Sequence, residues 1–153
     1  MTKVLVVDDE QGILDLLTEG LTDEGFDVRS ANNGASALVQ IYREQPDIVL
    51  LDLMIPVVNG YQVLREMRSN PTTKNLPIVL LTAVSPAEGE EVAVQLGANH
   101  YMNKPWKLNN LLQVIERALR EPLSSDSTKT TGHHYHNGAR RDVSDSLPTW
   151  LPT

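Results

Sequence analysis

Three consecutive acids, Asp8, Asp9 and Glu10, end the apolar run Val4–Val7. Like charges crowded this closely cost energy unless a cation compensates them. A further carboxylate, Asp52, closes the "IVLL" at Ile48–Leu51. A hydroxyl, Thr82, closes a second "IVLL" at Ile78–Leu81, and Lys104 stands just before Pro105. Carboxylates with no cysteine or histidine nearby suit a hard ion, Mg²⁺ or Mn²⁺, which keeps several waters and leaves room for phosphate oxygens. A carboxylate beside such an ion, with an ammonium and a hydroxyl close by, can attack a phosphoryl group. Lys104 would neutralise charge on the transferred group, and Thr82 could hydrogen-bond one of its oxygens. Each residue alone reads more plainly. An Asp after a strand is ordinarily a helix cap or turn former, and a lone Thr or Lys there is ordinarily surface. The weight lies in their joint placement.

That placement depends on the elements between them. Apolar, β-branched runs predict strands at Lys3–Val7, Asp27–Ala31, Ile48–Leu51, Ile78–Leu81 and His100–Met102. The "VLVV" and "IVLL" runs are continuous rather than alternating, as in strands covered on both faces. Helical spacing of apolar residues falls at Gln11–Glu24, Ala35–Glu44, Tyr61–Arg68, Glu90–Leu96 and Leu108–Leu119. Five β-α units in series imply a parallel sheet with helices on both faces. In such a sheet, sites lie outside the carboxyl ends of the strands, where Asp8, Asp9, Asp52, Thr82 and Lys104 would gather.

The 153 residues suffice for one domain with a real core. There is no cysteine, so no disulfide framework is possible, and a reducing compartment fits. The apolar run at the start is too short for a signal peptide, and no stretch approaches a membrane span. A cytoplasmic protein is expected. Residues 1–121 hold 10 Lys/Arg against 17 Asp/Glu, which is the whole net charge of -7; the remainder holds 3 against 3. An acidic body argues against direct nucleic-acid binding, which needs clustered basic residues. Residues 122–153, rich in Ser, Thr, Gly and Pro, predict a flexible extension with no separate output domain. Its "HHYH" (His133, His134 and His136) could hold a transition metal, and Trp150 between two prolines could dock; a solvated stretch with no fixed role is the plainer reading.

The pattern "VLVVDDE … IVLLDLMIPVVNGYQVL … IVLLTA … YMNKPW" resembles the receiver domain of two-component response regulators, over about residues 1–121 and with five motifs in order. The resemblance implies a (βα)5 flavodoxin-like three-layer sandwich, α/β in class, with sheet order 2-1-3-4-5. It implies that Asp52 accepts a phosphoryl group from a sensor histidine kinase in a Mg²⁺-dependent reaction. Asp9 and Asp52 would ligate the metal directly, Asp8 mainly through a water, and Met54 through its main-chain carbonyl. Thr82, Lys104 and the Ala83 N–H would hold phosphoryl oxygens. Tyr101 would be the switch aromatic that moves with Thr82; Pro56 and Gly60 would shape the loop; and the Lys104–Pro105 bond would be cis.

The resemblance further implies a target protein bound on the strand 5 face with its flanking helices, by a monomer or a phosphorylation-dependent dimer. The chain would be no enzyme beyond its own phosphorylation and dephosphorylation. Positions 99–100 are Asn-His, where many family members carry acids, so the resemblance does not extend to the dimerisation charges of the winged-helix subfamily. Met54 and Val84 are apolar where they would flank the path of a hydrolytic water, which predicts slow self-dephosphorylation. Glu10 is expected to cap or line the first helix, as a bystander to the acid pair.

Other readings fit less well. A haloacid-dehalogenase-type phosphatase needs Asp-x-Asp after the first strand, and here the acids are adjacent. A flavodoxin-type cofactor binder needs a Ser/Thr/Gly-rich loop there, and the anionic "DDEQG" would repel a phosphate. A pseudo-receiver without phosphotransfer ordinarily lacks a key residue, and all five are present. A phosphorelay intermediate, passing the group from Asp52 to a histidine phosphotransfer protein, is the alternative to a single-domain regulator.

Overall fold

The computed structural model describes residues 1–121. The reading of residues 122–153, with His133, His134, His136 and Trp150, lies outside them. Five strands and five helices alternate: β1 (Lys3–Val7), α1 (Gln11–Asp23), β2 (Asp27–Ala31), α2 (Gly34–Glu44), β3 (Ile48–Leu51), α3 (Gly60–Ser69), β4 (Ile78–Thr82), α4 (Pro86–Gln95), β5 (His100–Asn103) and α5 (Leu108–Arg120). The strands form one parallel sheet in the order β2-β1-β3-β4-β5. This is the (βα)5 flavodoxin-like sandwich that the sequence motifs imply.

Strand periodicity sorts the core into two layers. Leu5, Val7, Val49, Leu51, Ile78 and Leu80 face α2, α3 and α4. Val4, Val6, Ile48, Leu50, Val79 and Leu81 face α1 and α5. All of β3 and β4 is buried, which is why both sequences are continuously apolar.

Element boundaries fall within one residue of the sequence reading except at the start of α4. The fourth helix begins at Pro86, four residues before Glu90, because Ser85 accepts the Glu88 N–H at 3.3 Å and Pro86 fills the first turn. Its inward residues there are small, Gly89 and Ala93, so apolar spacing does not reveal the first turn. Strand β5 extends to Asn103, paired with Thr82. Among the described residues, no helix is long and apolar enough to cross a membrane.

Candidate functional site at the carboxyl edge of the sheet

The ladder continues one residue past three strands and so fixes the backbone of the site. The Asp8 N–H donates to the Ala31 carbonyl and the Asp52 N–H to the Val7 carbonyl, both at 3.1 Å. The Lys104 N–H donates to the Thr82 carbonyl at 2.8 Å. The Lys104–Pro105 bond is cis, as the motif implied.

At three strand ends the side chain then folds onto the backbone two residues ahead. Asp8 Oδ1 accepts the Glu10 N–H at 2.9 Å, Asp52 Oδ1 accepts the Met54 N–H at 3.1 Å, and Thr82 Oγ1 accepts the Val84 N–H at 3.2 Å. These Asx- and Ser/Thr-type turns are the ordinary behaviour of Asp and Thr after a strand. Here they leave the second oxygen of each carboxylate aimed at a common centre. Lys104 Nζ reaches that centre, 2.7 Å from Asp8 Oδ2 and 2.9 Å from Asp52 Oδ2. The turn-former reading and the chemical one are therefore both true of the same side chains.

Asp8, Asp9 and Asp52 each offer a carboxylate oxygen within 4.8 Å of the others; Asp8 and Asp52 are buried and Asp9 is exposed. The donor set is all oxygen, which fits a hard dication and not a soft metal. One ammonium faces three carboxylates, so the cluster carries a negative surplus. Burial raises the Asp8 pKa against the opposing pull of the Lys104 and Glu10 hydrogen bonds. Burial lowers the Lys104 pKa, but its bonds to Asp8 and Asp52 outweigh this and hold it above the ordinary lysine value.

Glu10 lines the start of α1, as expected, but is not a bystander to the acid pair. It occupies the N-cap position of α1 but makes no side-chain cap bond. Its exposed carboxylate instead reaches to 3.4 Å from Lys104 Nζ. It is an outer member of the cluster rather than a bystander.

Gly60 brings the loop after β3 back onto Asp52. A Cβ there would stand 2.4 Å from the Asp52 carbonyl oxygen and from Leu53 Cα, so only glycine fits. The same loop holds Val57 at φ 70°, a left-handed conformation that a β-branched residue rarely adopts. Met54 and Val57 project into solvent, whereas Val84 packs against the core below α4.

Thr82 is fully buried. Tyr101 donates its hydroxyl to the Val84 carbonyl and lies within 3.3 Å of the Ser85 carbonyl. Burial first, then the Tyr61 hydroxyl and nearby carboxylates, pushes its pKa up to about 12. Two asparagines escaped the sequence reading. Asn99 Oδ1 accepts the Ile78 N–H and an Arg68 N–H, and Asn103 Nδ2 donates to the Thr82 and Val84 carbonyls. The one available signal for Asn103 was its spacing: it shares a strand face with Tyr101, where a core residue would be expected.

A flavodoxin-like (βα)5 domain whose switch point gathers three acids and a lysine defines a class of switch domains. A family model, the response regulator receiver domain, matches residues 4–116, and the chain belongs to that family. A protein assigned as a response regulator from Chloroflexus aurantiacus J-10-fl is 34% identical, with a TM-score of 0.73 over 78% of this chain and 98% of that one. The chemotaxis response regulator CheY4 of Vibrio cholerae is 31% identical, with a TM-score of 0.71 over 77% and 98%. The receiver domain of the sensor histidine kinase PA1611 from Pseudomonas aeruginosa PAO1, solved with magnesium in its active-site cleft, is 28% identical, with a TM-score of 0.72 over 78% and 98%.

Proposed function

We propose that Asp52 accepts a phosphoryl group from a sensor histidine kinase, and that the receiver surface carries the output within these 153 residues. The observation that supports this best is the convergence of Asp8, Asp9 and Asp52, with Lys104 Nζ on the carboxylates of Asp8 and Asp52. A Mg²⁺ ion held by Asp9 and Asp52, by Asp8 through a water and by the Met54 carbonyl would neutralise charge between acceptor and donor phosphate. Mn²⁺ would fit the same oxygens.

Asp52 Oδ2 then acts as nucleophile. It forms an O–P bond to give an acyl phosphate, while the N–P bond of a phosphohistidine breaks and the imidazole takes a proton. Lys104 exchanges part of its pairing with Asp52 for a phosphoryl oxygen, and Thr82 Oγ1 and the Ala83 N–H take others. The chain catalyses only its own phosphorylation and dephosphorylation. A protein target on the β5 face between α4 and α5 would read the change.

Incubation with Mg²⁺ and a small phosphodonor, followed by intact mass, tests the assignment. The wild type should gain one phosphoryl group and Asp52→Asn none. No Asp52-dependent gain would leave a pseudo-receiver that binds partners without phosphotransfer.

A further inference from the structure

The Val84 carbonyl, two residues past Thr82, has both of its lone pairs engaged by side chains of one strand. Tyr101 Oη donates to it, and Asn103 Nδ2 donates to it at 2.9 Å. Residues 101 and 103 are two apart in β5, so they leave the same face of the sheet and reach the same segment. Asn103 Nδ2 also lies 3.2 Å from the Thr82 carbonyl, which already accepts the Lys104 N–H. Both partners of the amide are acceptors, so its nitrogen must face them. One side chain thus ties together the backbone of Thr82, the backbone of Val84 and the strand that delivers Lys104.

The tyrosine half of this arrangement needs space, which α4 supplies. A Cβ on Gly89 would stand 2.7 Å from Val84 Cγ1 and 3.0 Å from Tyr101 Oη. The first turn of α4 depends in turn on the segment being latched, because Glu88 and Gly89 donate their N–H groups to Ser85.

We propose that Asn103 is a positioning residue that, with Tyr101, latches the segment from Thr82 to Ser85 through the Val84 carbonyl and keeps Thr82 in place for phosphoryl transfer. The second half of this proposal rests on the reading of Asp52 as acceptor; the first half does not. Asn103→Leu keeps the branching at Cγ and removes both donor contacts. Asn103→His restores a donor, Nδ1–H, at the same reach from the backbone.

Amide hydrogen exchange on unphosphorylated protein, with no phosphodonor, reads the latch alone. Losing the two bonds should speed exchange at Val84, Glu88 and Gly89 about tenfold in Asn103→Leu. Exchange at Leu50 and Leu51 should stay unchanged, and Asn103→His should restore the wild-type rates. Exchange within twofold of wild type in Asn103→Leu would overturn the latch. So would acceleration that histidine fails to restore, since that would be packing alone. The same variants, given Mg²⁺ and a small phosphodonor, should show a severalfold slower mass gain for Asn103→Leu with Mg²⁺ affinity unchanged. An unaltered rate alongside released exchange would overturn the link to Thr82. Absence of phosphorylation in the wild type would count against the Asp52 assignment and leave the exchange result standing.

Discussion

Two half-buried cations sit at opposite edges of the same sheet, and they are held in opposite ways. At the carboxyl edge, Lys104 meets the carboxylates of Asp8 and Asp52 at 2.7 and 2.9 Å, with Glu10 at 3.4 Å. At the amino edge, Arg68 gives its fork of donors to neutral acceptors: the Gly97 carbonyl at 2.9 Å, the Thr73 carbonyl at 3.2 Å and Asn99 Oδ1 at 3.1 Å. Among the described residues Arg68 makes no ion pair. Burial pulls its pKa down to about 10, whereas that of Lys104 is raised.

The contrast separates structure from function. Carbonyl dipoles satisfy a guanidinium geometrically and offer it nothing to exchange, so Arg68 fastens α3 to the segments entering β4 and β5. Carboxylates in excess of their lysine leave charge unbalanced, which suits the carboxyl edge to a further cation. One edge is finished; the other is completed by what binds there.

Breaking the finished edge should have the largest effect. Arg68→Met removes three part-buried hydrogen bonds and should lower the unfolding free energy by about 3 kcal/mol in urea titration. Phosphorylation of the folded variant should be intact. A loss below about 1 kcal/mol would mean that water replaces the guanidinium and that the edge is not fastened by it.

Mg²⁺ should act on the other edge only. At about a hundredfold excess over its dissociation constant, Mg²⁺ should stabilise the wild type by about 2.7 kcal/mol. Asp9→Asn should lose most of that gain, because Asp9 is the exposed acid with no lysine contact, and Arg68→Met should keep it. Equal gains in wild type and Asp9→Asn would move the metal away from the acid cluster.

A smaller effect concerns strain. Val57 holds a left-handed φ of 70° on the loop beside Asp52. Val57→Gly should stabilise the fold by about 1 kcal/mol, the relief of a branched side chain from that region set against glycine's own entropy. Destabilisation in the same titration would show that the valine makes compensating contacts.

The carboxyl edge was legible in the sequence to the degree that its chemistry sits on strand ends. Val4–Val7 and Ile48–Leu51 are continuous apolar runs, so their ends, and with them Asp8 and Asp52, were visible directly. The start of α4 was less visible, because Ser85 and Pro86 signal a helix whose inward face is glycine and alanine. Asn99 and Asn103 were opaque for a different reason. A side-chain amide acquires its role from the N–H groups and carbonyls that the fold brings to it, and those lie from 19 to 31 residues away in sequence. Val57 was opaque too, since a β-branched valine suggests extended backbone and gives no sign of a positive φ.

The central claim is that the unbalanced edge exists to phosphorylate one carboxylate. Its most direct test is to locate the group: phosphodonor and Mg²⁺, then hydride reduction of the acyl phosphate, then peptide mass mapping. Reduction should convert Asp52 alone to homoserine. A modified Asp8, Asp9 or Glu10, or an unmodified chain, would contradict the account.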